Sequence, residues 1–136
     1  MPKRLFTPGE ANSALAQVRP AAERMVATRA RMRHLVAQQG ASVTAIGGNG
    51  AGYAAGDLKA AQAELEQLAE EVAALVRDLD ALGVVVKDLD TGLLDFPALR
   101  GDEEVELCWQ VGEERVEHWH PLEAGFRGRR PIDWGE

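Results

Sequence analysis

The chain has 136 residues, 46% of them hydrophobic but only 5% aromatic, and a formal net charge of −7. That length makes one domain with a modest, mostly aliphatic core, and the acidic balance argues against general nucleic-acid binding. One cysteine excludes an intrachain disulfide and suits a reducing, cytoplasmic setting, while the opening MPKRLFTPGE lacks a signal peptide's apolar stretch and no run approaches a membrane span.

Chemistry is spread unevenly. Cys108, all three tryptophans (Trp109, Trp119, Trp134) and two of the three histidines (His118, His120) fall in the last third. A site is therefore expected between Val84 and Pro131, with the earlier residues as scaffold.

Thr7-Pro8-Gly9-Glu10 reads as a helix start. Thr7 caps, Pro8 suits the first helical position and Glu10 completes a capping box. The spacing predicts a helix over 7–39, with Ala11, Val18, Met25 and Met32 recurring every seven residues and Ala14, Ala21 and Leu35 on the same side. Pro20 removes a backbone donor inside it, which predicts either a kink or two shorter helices. The segment 40–56 holds six glycines. It joins two helices and has no Gly-Lys-Ser/Thr ending, so it reads as a floppy connection and not a phosphate cradle.

The second helix, 57–82, has the clearest pattern. Leu58, Ala61, Leu65, Leu68, Val72, Leu75, Leu79 and Leu82 alternate steps of three and four, the seam of a coiled coil, and Gly83 ends it as a C-terminal cap. Residues 1–39 carry seven bases and two acids; residues 57–82 carry two bases and seven acids. An antiparallel hairpin sets the basic helix against the acidic one. A hairpin alone cannot hide its apolar seam from all sides, so a homodimer through the helices is expected, without nucleic-acid or membrane partners.

After Gly83 the rhythm becomes that of strands. Val84-Val85-Val86 is a β-branched run, Asp88 to Gly92 a turn, and Leu93 to Phe96 a returning strand that Pro97 ends. Ala98 to Asp102 is a loop. Glu104 to Gln110 alternates, Val111 to Glu114 turns, and Arg115 to His120 forms the last strand, leaving 121–136 as a C-terminal arm. The expected fold is α+β: a long antiparallel helical hairpin followed by an antiparallel meander of about four strands over 84–120.

Alternation then locates a site. With Val105, Leu107 and Trp109 facing the helices, and Leu94, Phe96 and Trp119 likewise, the outer face displays Asp95, Glu106, Cys108, His118 and His120. Asp95, Cys108, His118 and His120 are the ligand types of a divalent metal such as zinc. A polar outer face is the plainer explanation of the same residues, since antiparallel sheets commonly carry one. Asp88-x-Asp90 lacks the rest of a calcium loop, and its acids read first as turn residues bonding their own backbone. The Asp90-Thr91-Gly92 triplet matches aspartic proteases only over three residues. Arg129, in the basic segment Gly125 to Pro131, suits either a bound phosphate or carboxylate or an internal pairing with the aspartates.

The order of segments is also familiar. Leu5-Phe6-Thr7-Pro8 opens the chain; Val86 to Leu93 leads to Asp95-Phe96-Pro97-Ala98; Leu107-Cys108-Trp109, Trp119-His120, Ala124-Gly125-Phe126 and Gly128-Arg129 follow. This resembles the prokaryotic family catalogued as domain of unknown function 2203. The resemblance implies a site location and no activity, substrate or cofactor. Its recurring polar positions fall on Asp88, Asp90, Asp95, Cys108, His120 and Arg129, and His118 lies outside the pattern. The expected function is helix-mediated assembly with a patch on the sheet that binds a metal (Asp95, Cys108, His118, His120) or a small ligand (Asp88, Asp90, Arg129). The rival is a metal-dependent hydrolase built on the same cluster.

Overall fold

Thr7 starts the first helix with the expected reciprocal pair: its amide donates to Glu10 Oε1 at 2.9 Å, and the Glu10 amide donates to Thr7 Oγ1 at 3.0 Å. Phe6 just before the cap and Ala11 one turn on are both buried, which fixes the angle at which the chain enters the helix. The computed structural model describes residues 3–49 and 55–135. Helix α1 spans Pro8–Asn49 and α2 spans Ala55–Ala81. α1 runs unbroken through Pro20 and past Gln38, so the glycine-rich stretch expected as a loop is helical to Asn49 and again from Ala55. Each glycine weakens a helix by only about 1 kcal/mol and does not forbid it. The remainder of that stretch lies outside the described residues.

Arg24 Nε meets Glu71 Oε1 at 2.7 Å and Arg31 meets Glu64 Oε2 at 3.2 Å. Seven residues forward on α1 is thus seven back on α2, the signature of an antiparallel hairpin. Ala61, Val72 and Leu79 of the α2 seam are buried, against Leu15, Val18, Ala22, Met25 and Leu35 of α1. Leu15 and Ala22 take the places expected of Ala14 and Ala21, which are only half-buried.

Gly83, at φ 91°, turns the chain out of α2 into the sheet. Its strands are β1 (Val85–Asp88), β2 (Leu93–Arg100), β3 (Glu103–Gln110), β4 (His118–Pro121) and β5 (Arg130–Pro131). They lie side by side in chain order, each antiparallel to the next. The meander has five strands instead of about four, because the expected C-terminal arm adds the last one. β2 also continues through Pro97 instead of stopping there. β1 pairs with β2 no further than Asp95, so the Pro97 nitrogen faces an open edge where no amide is needed, and the Pro97 carbonyl on that edge accepts the Phe6 amide at 2.7 Å.

The inner face carries Leu94, Phe96, Ala98, Val105, Leu107, Trp109 and Trp119, all buried and in one cluster with Val18, Met25, Val72 and Leu79 of the helices. Two polar ties lock the sheet to α1. The Asn12 side-chain amide accepts from the Val116 amide at 2.7 Å and donates to the Val116 carbonyl at 3.1 Å, and Arg19 donates to the carbonyls of Glu113 and Glu114.

Gly92 is the tightest point of the β1–β2 turn. It sits at φ +72°, and a Cβ there would run into Val111 and lie 2.8 Å from Val26 Cγ2. Gly92→Ala is expected to destabilise the fold by about 2–4 kcal/mol in urea denaturation, from backbone strain and overpacking together.

Candidate functional site

The β2–β3–β4 register sets the outer face row by row. Asp95, Cys108 and His118 are cross-strand partners in one row, and Pro97, Glu106 and His120 in the next. This face is not open to solvent: Asp95 is 2% exposed, Cys108 1% and His120 2%. The chain after β4 folds back over it, with Leu122, Gly125 and Phe126 forming a roof. Arg129 fastens that roof. Its two terminal nitrogens grip the Glu113 carboxylate at 2.6 and 2.8 Å, one of them also reaches the Cys108 carbonyl at 3.2 Å, and the guanidinium lies 4.6 Å from the centre of the Phe126 ring.

Asp95, Cys108 and His120 converge beneath this roof, with one ligand atom from each lying within 4.8 Å of the others. The state of His120 follows from its neighbours. Nδ1 lies 2.8 Å from the Pro121 carbonyl, which can only accept, so Nδ1 carries the hydrogen. Nε2 faces Asp95 Oδ2 at 3.1 Å: it donates to that oxygen in the imidazolium, and in the neutral ring it offers a lone pair. Asp95 Oδ1 and Glu106 Oε2 are also buried, with no hydrogen-bond partner among the described residues. Two buried carboxylate oxygens thus lack a hydrogen-bond partner among the described residues, next to the Cys108 thiol and with Lys87 at the cavity wall.

Burial pushes the Cys108 thiol up to about 11; the nearby Asp95 carboxylate adds to the rise and Arg129 opposes it. The thiol thus keeps its proton at neutral pH unless a cation replaces it. Burial also lifts the Glu106 carboxyl above the usual range, helped by Asp95 and opposed by Lys87. Between Glu106, Asp95 and His120 on one side and Leu122, Gly125 and Phe126 on the other is a cavity of about 180 Å³, with Lys87 at its wall. A larger concavity of about 550 Å³ lies at the start of α1, where Thr7 and Glu10 satisfy each other through the capping box; it offers less unpaired chemistry than the smaller one.

The remaining sequence candidates divide. His118 stands on the same face but outside the cluster. Its ring nitrogens are not in the group that converges from Asp95, Cys108 and His120. Asp88 Oδ1 accepts the amides of Asp90 and Thr91 at 2.8 and 3.2 Å, which makes it a turn residue. Asp90 Oδ1 is held by Arg29 Nε at 3.0 Å and an Arg33 nitrogen at 2.6 Å, on the helix side of the molecule. Those arginines keep its carboxyl below the usual range, the Arg29 hydrogen bond first among the causes. Asp88, Asp90 and Arg129 therefore do not form one ligand site. Among the described residues Arg129 meets no aspartate and is already engaged by Glu113.

Glu106, Glu113 and the Pro121 carbonyl carry roles that the sequence candidates left out. Strand alternation did place Glu106 on the correct face; nothing in the sequence marks the roof or the Arg129–Glu113 fork.

A family model described as an uncharacterized conserved protein (DUF2203) matches residues 4–132. The chain belongs to this family. No curated protein and no solved structure matches it. Of the positions singled out by the resemblance, Asp95, Cys108, His120 and Arg129 gather beneath or beside the roof, while Asp88 and Asp90 serve the β1–β2 turn.

The roof fastening has a pH signature. Burial raises the Glu113 carboxyl, but the Arg129 hydrogen bonds and the Gln110 amide outweigh it, so the folded value lies below the ordinary one. Its contribution to stability is complete above the unfolded carboxylate value and is lost as pH falls through the folded one. Glu113→Gln is expected to cost about 1 kcal/mol at neutral pH, with the gap to the parent chain closing in acid; urea denaturation across a pH series measures both.

Proposed function

We propose that the chain binds a divalent transition metal of the zinc class through Asp95, Cys108 and His120. The observation that carries this reading is the convergence of one ligand atom each from buried Asp95, Cys108 and His120 within 4.8 Å, with His120 Nε2 and Asp95 Oδ2 3.1 Å apart. Two ligand atoms of a tetrahedral zinc ion stand about 3.3 Å apart, close to that separation. A ligating histidine almost always anchors its other nitrogen on a carbonyl or carboxylate, as His120 Nδ1 does on Pro121. Cys108 adds the soft donor that favours zinc over calcium or magnesium. A proton on His120 satisfies its pair with Asp95 Oδ2; Asp95 Oδ1 and Glu106 Oε2 still have no hydrogen-bond partner among the described residues.

Protein purified without chelator is expected to hold near-stoichiometric zinc by elemental analysis, or to take it up when added. His120→Ala should lower the affinity by more than tenfold, since it removes one of three protein ligands. Absence of metal after such addition overturns the reading.

We further propose assembly with a second copy through the hairpin. A groove lined by Met32, Val72, Val76 and Leu89 runs along it, and Val36 beyond is 57% exposed. Glu66, Glu70, Ala73 and Arg77 fall on one stripe of α2 by their spacing, with no ion-pair partner among the described residues. A two-fold axis between Glu70 and Ala73 sets Glu66 of each copy against Arg77 of the other. Light scattering should then report a dimer that Glu66→Arg weakens and Glu66→Arg with Arg77→Glu restores. A monomer at high concentration excludes the arrangement.

A further inference from the structure

We infer that the metal site keeps one coordination position open toward the roofed cavity, and that this position takes a small hydroxyl-bearing ligand whose O–H is donated to Glu106 Oε2. The inference rests on the metal reading above and adds what occupies the fourth position.

The first observation is the ligand count. Asp95, Cys108 and His120 are the group whose donor atoms converge among the described residues. Three protein ligands leave a tetrahedral ion one vacancy, the arrangement of catalytic sites; structural sites are closed by four. Glu106, one row from Cys108 and directly across from His120, is not in that group, yet lines the same cavity.

The second observation is the unpartnered Glu106 Oε2, buried beside the triad. An acceptor in that position wants a donor, and a hydroxyl bound at the vacancy would supply one. Asp95 Oδ1, on a side chain only 3% exposed, likewise has no hydrogen-bond partner among the described residues.

Charge selects the class of ligand. A divalent ion is balanced by the Asp95 carboxylate and a Cys108 thiolate, and Lys87 near Glu106 balances that carboxylate. The filled site is close to neutral, so it favours a ligand that is itself uncharged and donates a hydrogen bond, such as water, an alcohol or a hydroxamic acid, over a phosphate or sulfate. The apolar wall supplied by Leu93, Leu122 and Phe126 suits a short hydrocarbon arm on that ligand.

Cobalt(II) in place of zinc makes the position visible, because its absorption spectrum follows coordination number and ligand type. Full-length protein loaded with cobalt(II) is expected to change spectrum saturably with acetohydroxamic acid and not with sulfate. Glu106→Ala should take up cobalt(II) with the parent spectrum, and bind acetohydroxamic acid about tenfold or more weakly, the loss of one hydrogen bond to a charged acceptor. Cobalt(II) bound with a spectrum indifferent to acetohydroxamic acid means a closed site, which overturns this inference and leaves the metal reading standing. A Glu106→Ala spectrum altered before any ligand is added makes Glu106 the fourth metal ligand, which overturns it too. Failure to bind cobalt(II) at all overturns the metal reading, and this inference with it.

Discussion

The unbroken eight-residue ladder between β2 and β3 is the constraint on which the rest of the molecule depends. Successive residues of a strand point to opposite faces, so one register assigns Leu94, Phe96, Leu107 and Trp109 to the helices and Asp95, Glu106 and Cys108 to the other side. A slip of a single residue would drive the acids into the aliphatic core and the large apolar side chains out of it. The register is therefore held by the whole hydrophobic contact with α1 and α2, and the polar cluster inherits its geometry at no separate cost in ordering.

Burying that second face is the less usual step. Antiparallel sheets commonly leave one face wet, and a wet face would let Asp95 and His120 find water for their lone pairs. Here a short return of the chain, pinned by a two-pronged arginine contact, covers Asp95, Cys108 and His120 and leaves an acidic, sulfur-containing pocket. The same burial raises the Cys108 and Glu106 protonation thresholds.

Much of this was legible in the residues themselves. The Thr7–Glu10 box, the α2 seam, the basic and acidic helices and the inward set of the sheet follow from spacing alone, because each depends on local periodicity. Asp95, Cys108 and His120 could be placed on one face for the same reason. The face's burial could not be read, since the roof depends on where Arg129 lands, and its partner Glu113 looks like an ordinary acidic turn residue. His118 and His120 look equivalent under alternation; which of them converges with Asp95 and Cys108 depends on side-chain placement that alternation does not give. Pro97 misleads in the other direction: a proline signals the end of a strand unless its missing amide faces a free edge, which is a property of the pairing pattern. The long glycine-bearing tail of α1 likewise shows helical continuity winning over low propensity.

The hairpin's geometry has an evolutionary consequence. The two interhelical ion pairs among the described residues, Arg24–Glu71 and Arg31–Glu64, are one heptad apart on both helices. Seven residues inserted into each arm beyond them would therefore keep the apolar seam and the charge pattern in phase, and the sheet with its buried cluster, anchored to the first turns of α1 through Asn12 and Arg19, would not register the change. Reach and chemistry are thus independently adjustable in this chain: the hairpin can vary in length among relatives in steps of about two helical turns while the pocket stays as it is.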